Sequence, residues 1–378
     1  MDPAIDVAKL GPQAQRILDP KAPGPMRQMA ARGIAPGLKP ADTLAVIALL
    51  AESTDSSVST LAQATLDKLP PQLLQGALTA ELHAGVLDVL APRYAKDAAM
   101  MERILALPQV PLETIARVAS RCSEEVSEII ATNEDRLLRH PQIIERLYMN
   151  KATRMSTSDR MIELAVRNSI ELTGIPAFKE AVQALSEELI PVDPTDGPTE
   201  EDLAFRQATS LAAELSDDAD IAEGAHTTDD ATGEEVPKDK IKPLYALIGD
   251  MKTGQKIRLA QTGGVAERAL LVRDPDRRVS IAAITNPNVQ DNEVARISAS
   301  RNIPEDVLRC IANDSKWTRN HQIKVNLVGN PRCPLMISAK LLPHLRDHEL
   351  KALARSKNVS GAVSKAARNQ LEKKNIKI

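Results

Sequence analysis

The sequence predicts an all-α protein made of degenerate helical repeats that form an α-solenoid, with two helical parts joined by a disordered acidic linker. Apolar residues recur at helical spacing, and regularly placed prolines mark successive helix starts. Aromatic residues are rare, with 2 Phe, 3 Tyr and 1 Trp among 378 residues. A core of small aliphatic side chains suits stacked helices, in which each unit buries its apolar face against its neighbours.

The first 190 residues divide into a proline-containing segment, 1–40, which we predict to be flexible, and a helical repeat domain, 41–190. Inside this domain apolar residues fall at positions i, i+3, i+4 and i+7 after prolines or polar starts, as on one face of a helix. The residues that carry this pattern are Ile115, Val118, Ala119 and Cys122, then Ile143, Ile144 and Leu147, then Met161, Leu164 and Ala165.

The net charge of −3 conceals three charge regimes along the chain. Residues 193–239 hold 15 Asp and Glu against 2 basic residues, a net charge of −13. Residues 240–378 hold 26 Lys and Arg against 12 acidic residues, a net charge of +14. Low hydrophobicity and like charge predict a disordered linker over 191–240. A basic C-terminal helical repeat domain, 241–378, follows it.

One piece of the acidic segment has helical character. Thr199-Glu-Glu-Asp202 resembles a capping box, and Leu203, Gln207, Leu211 and Leu215 follow at four-residue spacing. The piece is either a short docking helix or a transient helix in a solvated tether, and we favour the tether.

The C-terminal part repeats a short motif. A polar residue is followed by a small apolar residue, then usually by a Pro or Ser, and then by an amphipathic helix. Copies begin at Asn302-Ile-Pro and Asn358-Val-Ser, and a looser copy begins at Arg332-Cys-Pro. Because the spacing between copies is irregular, the sequence predicts degenerate repeats rather than a regular array.

The stretch from Leu271 to Asn288 resembles the variant leucine-rich repeat of bacteria and, more broadly, HEAT-like helical repeats. In those families a short loop like Arg273-Asp-Pro-Asp276 leads into a helix like Val279 to Ile284 and then into a turn like Asn286-Pro287. The resemblance covers roughly residues 265–370. It implies a curved α-solenoid that binds other macromolecules.

The three cysteines, Cys122, Cys310 and Cys333, are far apart and have no CxxC spacing. This is typical of reduced thiols in a cytoplasmic protein, and it does not match the iron–sulfur module sometimes attached to variant leucine-rich repeats. The N-terminus has no apolar signal region, and no stretch approaches the ~18 apolar residues of a membrane span. We therefore expect a cytoplasmic protein with no cofactor.

No strong catalytic or metal-binding motif stands out in the sequence. His344 and His348 have a spacing that places two imidazoles on one helix face, but no third metal ligand can be named, so we favour surface histidines. Gly254-Gln-Lys256 lacks the spacing of a phosphate loop. We predict that the protein is not an enzyme. A HEAT-like DNA-modifying enzyme is the least favoured alternative, because that class needs an aromatic-lined cleft.

The basic residues of the C-terminal part are clustered. Corresponding positions of successive repeats line one face of a solenoid, so these clusters predict a continuous basic binding face. The single tryptophan is either an anchor of this face or half-buried packing, and we favour packing. The candidate face consists of Lys252, Lys256, Arg258, Arg273, Arg277, Arg278, Lys316, Trp317, Arg319, Lys324, Lys351, Arg355, Lys357, Lys365 and Arg368.

Three interpretations of this basic face stay open. It binds an acidic protein partner, it binds nucleic acid without sequence preference, or it folds back on the acidic linker until a partner displaces the linker. The third is compatible with either of the others. We favour a scaffold for a protein partner, because the repeat resemblance implies it and no DNA-reading helix or arm can be identified.

Overall fold

A computed structural model of the chain describes residues 5–79, 81–186, 197–216, 225–228, 235–356, 358–374 and 376. These residues form 25 α-helices and one two-stranded hairpin, which confirms the all-α prediction. Contacts divide the chain into two compact units. The first comprises Met1–Met161 and Arg167–Leu172, and the second comprises Ile162–Val166 and Thr173–Ile378.

The first unit is a series of short helices, several of which begin at prolines, as predicted. Pro12, Pro40 and Pro71 each occupy the first turn of a helix, where the missing N–H is not needed. Its helices are α1 Pro12–Leu18, α2 Gly24–Ala31, α3 Pro40–Ala51, α4 Ser56–Asp67, α5 Pro71–Ala77, α6 Ala84–Leu90, α7 Ala98–Leu105, α8 Leu112–Ala119, α9 Glu124–Ala131, α10 Glu134–Arg139, α11 Gln142–Met149 and α12 Met155–Arg167, with short 3-10 helices at Val7–Lys9 and Ala91–Tyr94.

The apolar stripes predicted for this unit are buried. Ile115 and Val118 are 1% and 0% exposed, and Ile143 and Ile144 are fully buried. The segment 1–40, predicted to be flexible, is folded over its described residues, because α1 and α2 pack against α3 and bury small apolar side chains such as Ala14 and Ala30. Small residues permit this close packing without a long apolar run in the sequence.

The second unit is also built mainly from short helices. Four of its helices pack in succession: α13 (Phe178–Leu185), α16 (Thr253–Thr262), α18 (Arg277–Ile284) and α20 (Glu305–Asn313). Helix α19 (Asp291–Ala299) packs against α22 (His321–Gly329). The hairpin is antiparallel and pairs His226 with Pro237. The elements are α13 Phe178–Leu185, α14 Glu200–Ser216, β1 His226–Thr228, β2 Glu235–Pro237, α15 Lys242–Asp250, α16 Thr253–Thr262, α17 Val265–Leu271, α18 Arg277–Ile284, α19 Asp291–Ala299, α20 Glu305–Asn313, α21 Ser315–Thr318, α22 His321–Gly329, α23 Leu335–Leu341, α24 Asp347–Arg355 and α25 Gly361–Lys373, with 3-10 helices at Asp239–Ile241 and Leu342–His344.

Three buried asparagines connect successive repeats, and we refer to Asn150, Asn286 and Asn330 as the asparagine rungs. Each side-chain amide donates to carbonyl oxygens at a helix end 25 to 32 residues earlier in the chain. Each Oδ1 atom accepts from the backbone N–H two residues later, which forms a tight turn. The last carbonyls of a helix have no partner within it, so the rungs stabilise one repeat on the next.

The acidic segment contains a folded helix, so the prediction of a disordered linker is wrong over 200–216. Helix α14 begins with the predicted capping box: the Thr199 hydroxyl accepts from Asp202 N at 3.2 Å, and Thr199 N donates to the Asp202 carboxylate at 2.8 Å. The predicted linker residues 191–196, 217–224 and 229–234 lie outside the described residues.

The buried face of α14 is not the stripe that the sequence predicts. Phe205, Ala208 and Ala212 are 2% exposed or less, whereas Leu203 is 53% exposed. The Arg258 guanidinium lies over the Phe205 ring, 4.9 Å from its centroid. This face is buried because the Phe205 ring packs against the Arg258 cation and because the two alanines allow close approach. A leucine stripe is therefore not needed.

We expect Phe205→Leu to lower the free energy of unfolding of the second unit by about 1–2 kcal/mol. Leucine fills the site incompletely, and it cannot make the cation–π contact with Arg258. Trp317, the single tryptophan, is buried in this unit, so its fluorescence during urea unfolding reports the change. The control is Leu203→Ala on the same helix, which should change the free energy by less than about 0.5 kcal/mol. Equal effects of the two variants would show that α14 does not form part of the core.

Candidate functional site

The residues of the predicted basic face divide into two groups. Those before residue 280 are mostly paired with carboxylates, so little of their charge is available to a partner. The pairs are Lys252 with Glu201, Lys256 with Asp274 at 3.5 Å, Arg273 with Glu235 at 2.9 Å, Arg277 with Asp306 at 3.3 Å and Arg278 with Asp276 at 2.9 Å.

Two residues of the predicted face lie inside the protein. Arg258 is fully buried, and the Phe205 ring beneath it explains how a guanidinium is accommodated there. Trp317 is 6% exposed. Including these two side chains in the binding face is therefore wrong. Arg258 is held inside by Phe205, which is distant in the sequence, and the burial of Trp317 agrees with the packing interpretation.

The second group carries the available positive charge. Residues 315–378 contain 14 Lys and Arg against 3 acidic residues. Two of these carboxylates are engaged, Asp347 by Lys374 at 2.8 Å and Glu349 by His321 at 2.8 Å. Within the described residues, the following side chains make no ion pair, and we name them the basic surface: Lys316, Arg319, Lys324, Lys351, Arg355 and Lys365.

Two further residues of the second group differ from the basic surface. Arg368 donates to the Ala354 carbonyl from Nε at 3.2 Å and from Nη2 at 3.0 Å, so it caps the end of α24. Lys357 lies outside the described residues. The predicted continuous face is therefore reduced to the basic surface.

Helices α22 and α24 bring part of the basic surface together. His321 meets Glu349 at their N-terminal ends, and a Cβ placed on Gly329 would lie 4.0 Å from the Leu353 side chain near their C-terminal ends. The helices therefore run side by side in the same direction. Lys324 on α22 and Lys351 on α24 are therefore on neighbouring helices. Arg355 lies one turn after Lys351 on α24.

Apolar side chains are exposed on the neighbouring helix α23, which packs against α22 and α25. Leu335 is 48% exposed and Met336 is 83% exposed. Lys340 follows Met336 by one turn on the same face of the helix. Flexible, polarizable methionine is typical of binding surfaces, so α23 presents an apolar contact next to the positive charge of Lys340.

A cavity that is partly open to solvent lies elsewhere in the second unit. It has a volume of about 320 Å³, and its walls include His226 and Glu235 from the hairpin, Tyr245 from α15 and Arg273 after α17. We did not predict the two hairpin residues as part of a site. A signal was present, because Thr227-Thr228 and Val236 flank an Asp- and Gly-containing stretch, the pattern of a hairpin.

Among the described residues, no group of three or more His, Cys, Asp or Glu side chains is placed to hold a metal ion. His344 and His348 are both exposed. Within the same part of the chain, no helix is both long enough and apolar enough to cross a membrane.

Comparison with known proteins adds no relative. No family model, no curated protein and no solved structure matches this chain. The resemblance to variant leucine-rich and HEAT-like repeats therefore stays a prediction, and the site rests on its own geometry.

Proposed function

We propose that this chain is a non-enzymatic, cytoplasmic interaction scaffold of the HEAT-like repeat type, which binds an acidic protein partner through the basic surface and the apolar side chains of α23. The observation that carries the proposal is the unbalanced charge of residues 315–378 beside Met336, which is 83% exposed. Uncompensated cations attract an acidic partner and speed association. An exposed methionine supplies the apolar contact that a specific interface needs.

A protein partner is favoured over nucleic acid. Trp317 is the only aromatic residue between 315 and 378, and its burial leaves this surface without a ring on which a base can stack. Methionine and arginine, by contrast, are enriched in protein interfaces. Nonspecific nucleic-acid binding is the second candidate, and the charge excess supports it.

The acidic segment has a different role in this proposal from the masking that the sequence suggests. Glu201 and Glu235 pair with Lys252 and Arg273 inside the folded unit. These two carboxylates of the acidic segment thus pair with the first group of basic residues and not with the basic surface.

The test uses the full chain, a labelled peptide rich in Glu and Leu, and a duplex DNA of random sequence. We expect the double variant Lys351→Glu, Arg355→Glu to weaken peptide binding at least about tenfold, a loss of roughly 1.4 kcal/mol. The control is Lys9→Glu, Lys39→Glu, which makes the same charge change at two exposed lysines of the first unit. Fluorescence anisotropy at several salt concentrations gives the affinities.

The variant Met336→Ser separates the two candidate partners. If the partner is a protein, Met336→Ser weakens peptide binding several-fold and leaves DNA binding unchanged. If DNA binds more tightly than the peptide and its affinity falls steeply with salt, the nucleic-acid candidate replaces the proposal. Peptide binding that the control variant weakens as much as the Lys351 and Arg355 variant would remove the basic surface from consideration.

A further inference from the structure

Helix α2 of the first unit has an apolar outer face. The helix buries Ala30 and Ala31, and Met29 lies on the opposite side, because an α-helix has about 3.6 residues per turn. Met26 is 44% exposed and Met29 is 48% exposed. A surface helix normally turns its polar residues to solvent and its apolar residues to the core. Two methionines on the solvent side therefore depart from the ordinary pattern.

The end of α2 adds a third exposed apolar side chain. The helix ends in a Schellman motif, in which Gly33 N donates to the Ala30 carbonyl at 2.9 Å. Ile34 N donates to the Met29 carbonyl at 3.0 Å. Gly33 has the left-handed backbone that the motif requires, with a φ of +78°. The motif thus places Ile34, which is 53% exposed, beside Met29. We name Met26, Met29 and Ile34 the methionine face.

The backbone around the methionine face has almost no unbonded N–H groups. Pro20, Pro23 and Pro25 carry no N–H. The N–H groups of residues 21, 22, 26 and 27 all donate within the same segment. Among residues 20–27, all of which the structure describes, only the N–H of Gly24 is left. At the other end of α2, the last turn and the Schellman motif engage the carbonyls of residues 28–30.

This closed backbone distinguishes between two kinds of partner. A protein interface contains about one hydrogen bond per 100–200 Å² of buried surface, and this face offers few groups to make them. The hydrocarbon region of a membrane forms no hydrogen bonds, so a backbone that enters its boundary must be bonded internally. The methionine face meets that requirement and therefore favours lipid over protein.

The helices that carry the methionine face are also positively charged. Residues 12–38 contain 4 Lys and Arg against 1 acidic residue. Arg16, Lys21 and Arg32 are exposed and make no ion pair among the described residues. Lys21 precedes α2, Arg32 lies at its C-terminal cap, and Arg16 lies on α1, which packs against α2. The complement of this face is an anionic surface.

A second copy of the chain is a poor partner for the same face. A symmetric dimer contact would bring the same basic residues of both copies together, and like charges placed opposite each other oppose association. Three apolar side chains are also far fewer than the roughly 20–30 residues per side of a stable protein interface. Charge and size thus both argue against self-association here.

We propose that this face docks on an anionic membrane surface. The methionine face enters the boundary between headgroups and acyl chains, and Arg16, Lys21 and Arg32 contact the lipid phosphates. Helix α2 has 8 residues and lies in the plane of the membrane without crossing it. Shallow apolar insertion and a few cations are each weak signals, and together they give reversible binding. This role belongs to the first unit, whereas the scaffold function rests on the second.

The test measures flotation of the full chain with lipid vesicles at physiological ionic strength, where attraction between charges alone is largely screened. Vesicles of equal parts phosphatidylcholine and phosphatidylglycerol should bind the chain at least about tenfold more tightly than vesicles of phosphatidylcholine alone. The variant Met26→Ser, Met29→Ser should weaken binding to the anionic vesicles at least about fivefold, because it removes two inserted side chains. The variant Arg16→Glu, Lys21→Glu should weaken it at least about tenfold. All four positions are exposed, and circular dichroism checks that the variants fold.

Two variants of the second unit serve as controls. Leu203→Ser removes an apolar side chain that is 53% exposed on α14 and should leave vesicle binding unchanged. The variant Lys351→Glu, Arg355→Glu tests the rival explanation that the basic surface recruits the vesicles. It should weaken vesicle binding less than about twofold.

A tryptophan reports whether the methionine face enters the membrane. On anionic vesicles, Met29→Trp should show a shift of its emission to shorter wavelength and quenching by brominated lipid. Leu203→Trp should show neither. Trp317 is buried and present in both variants, so its emission is a constant background.

Three outcomes would overturn the proposal. If the chain binds anionic and neutral vesicles equally, or if the double methionine variant binds like the unchanged chain, the face does not dock on lipid. If the variant of the basic surface loses as much vesicle binding as the variant of the α1 and α2 charges, attraction to the second unit explains the result. If the double methionine variant instead weakens binding of the Glu- and Leu-rich peptide, the face belongs to an acidic protein. The scaffold function depends on the peptide affinities of the second-unit variants, so it is tested separately.

Discussion

Replacing Glu293 with leucine is expected to lower the free energy of unfolding of the second unit by about 3–5 kcal/mol, because it leaves the buried guanidinium of Arg268 without its counter-charge. The two side chains are 5% and 6% exposed. They form a bidentate pair, with Arg268 Nη2 at 2.8 Å and Nε at 3.1 Å from the two Glu293 oxygens. Arg268 also donates to the Gly263 carbonyl at 2.9 Å. Urea unfolding followed by Trp317 fluorescence measures the loss.

The matched variants are Arg268→Met and the double variant Arg268→Met, Glu293→Leu. Each single variant leaves one buried charge unpaired, whereas the double variant leaves none. We therefore expect the double variant to be more stable than either single variant. Strictly additive losses would show that the cost arises from packing and not from an uncompensated charge.

The second large effect is expected for Asn286→Ala, which should lower the free energy of unfolding of the second unit by about 2–4 kcal/mol. The Asn286 amide donates to the carbonyl oxygens of Ala260 and Gln261, both at 2.8 Å, and all three groups are buried. Alanine leaves these carbonyls without a donor. It also removes the Oδ1 acceptor that holds the turn at Asn288 N. The same unfolding experiment reports the change.

Two further substitutions show which half of the Asn286 side chain matters. Asn286→Asp keeps the acceptor for the turn, but it points a carboxylate oxygen at the carbonyl oxygens of Ala260 and Gln261, which repel it. We therefore expect it to lower the free energy of unfolding at least as much as Asn286→Ala does. Asn288→Ala changes an exposed side chain of the same turn and should cost less than about 0.5 kcal/mol. A tolerated aspartate would contradict the role of the rung as a carbonyl donor.

The sequence predicts those features of the fold that depend on neighbouring residues. Prolines start helices because of their own geometry, and the capping box of Thr199 and Asp202 forms within four residues. The turn at Asn286-Pro287 is likewise local. These predictions are confirmed because each depends on a few consecutive residues.

Features that depend on distant partners could not be predicted. The burial of Arg258 requires Phe205, which lies 53 positions earlier, and the hairpin that supplies His226 requires Arg273 and Ser300 to hold Glu235. Charge counting locates the basic region along the sequence. It did not show that the first half of that region is neutralised by ion pairs.

The asparagine rungs also show how little side-chain information a junction between helices requires. Each rung recognises main-chain carbonyls, and these belong to residues as different as Ala119, Gln261 and Ser298. Because every amino acid carries the same carbonyl, the hydrogen bonds themselves require only the asparagine side chain, whereas packing constrains the buried acceptor residues. The same junction can therefore form at Asn150, Asn286 and Asn330 although the surrounding sequences differ.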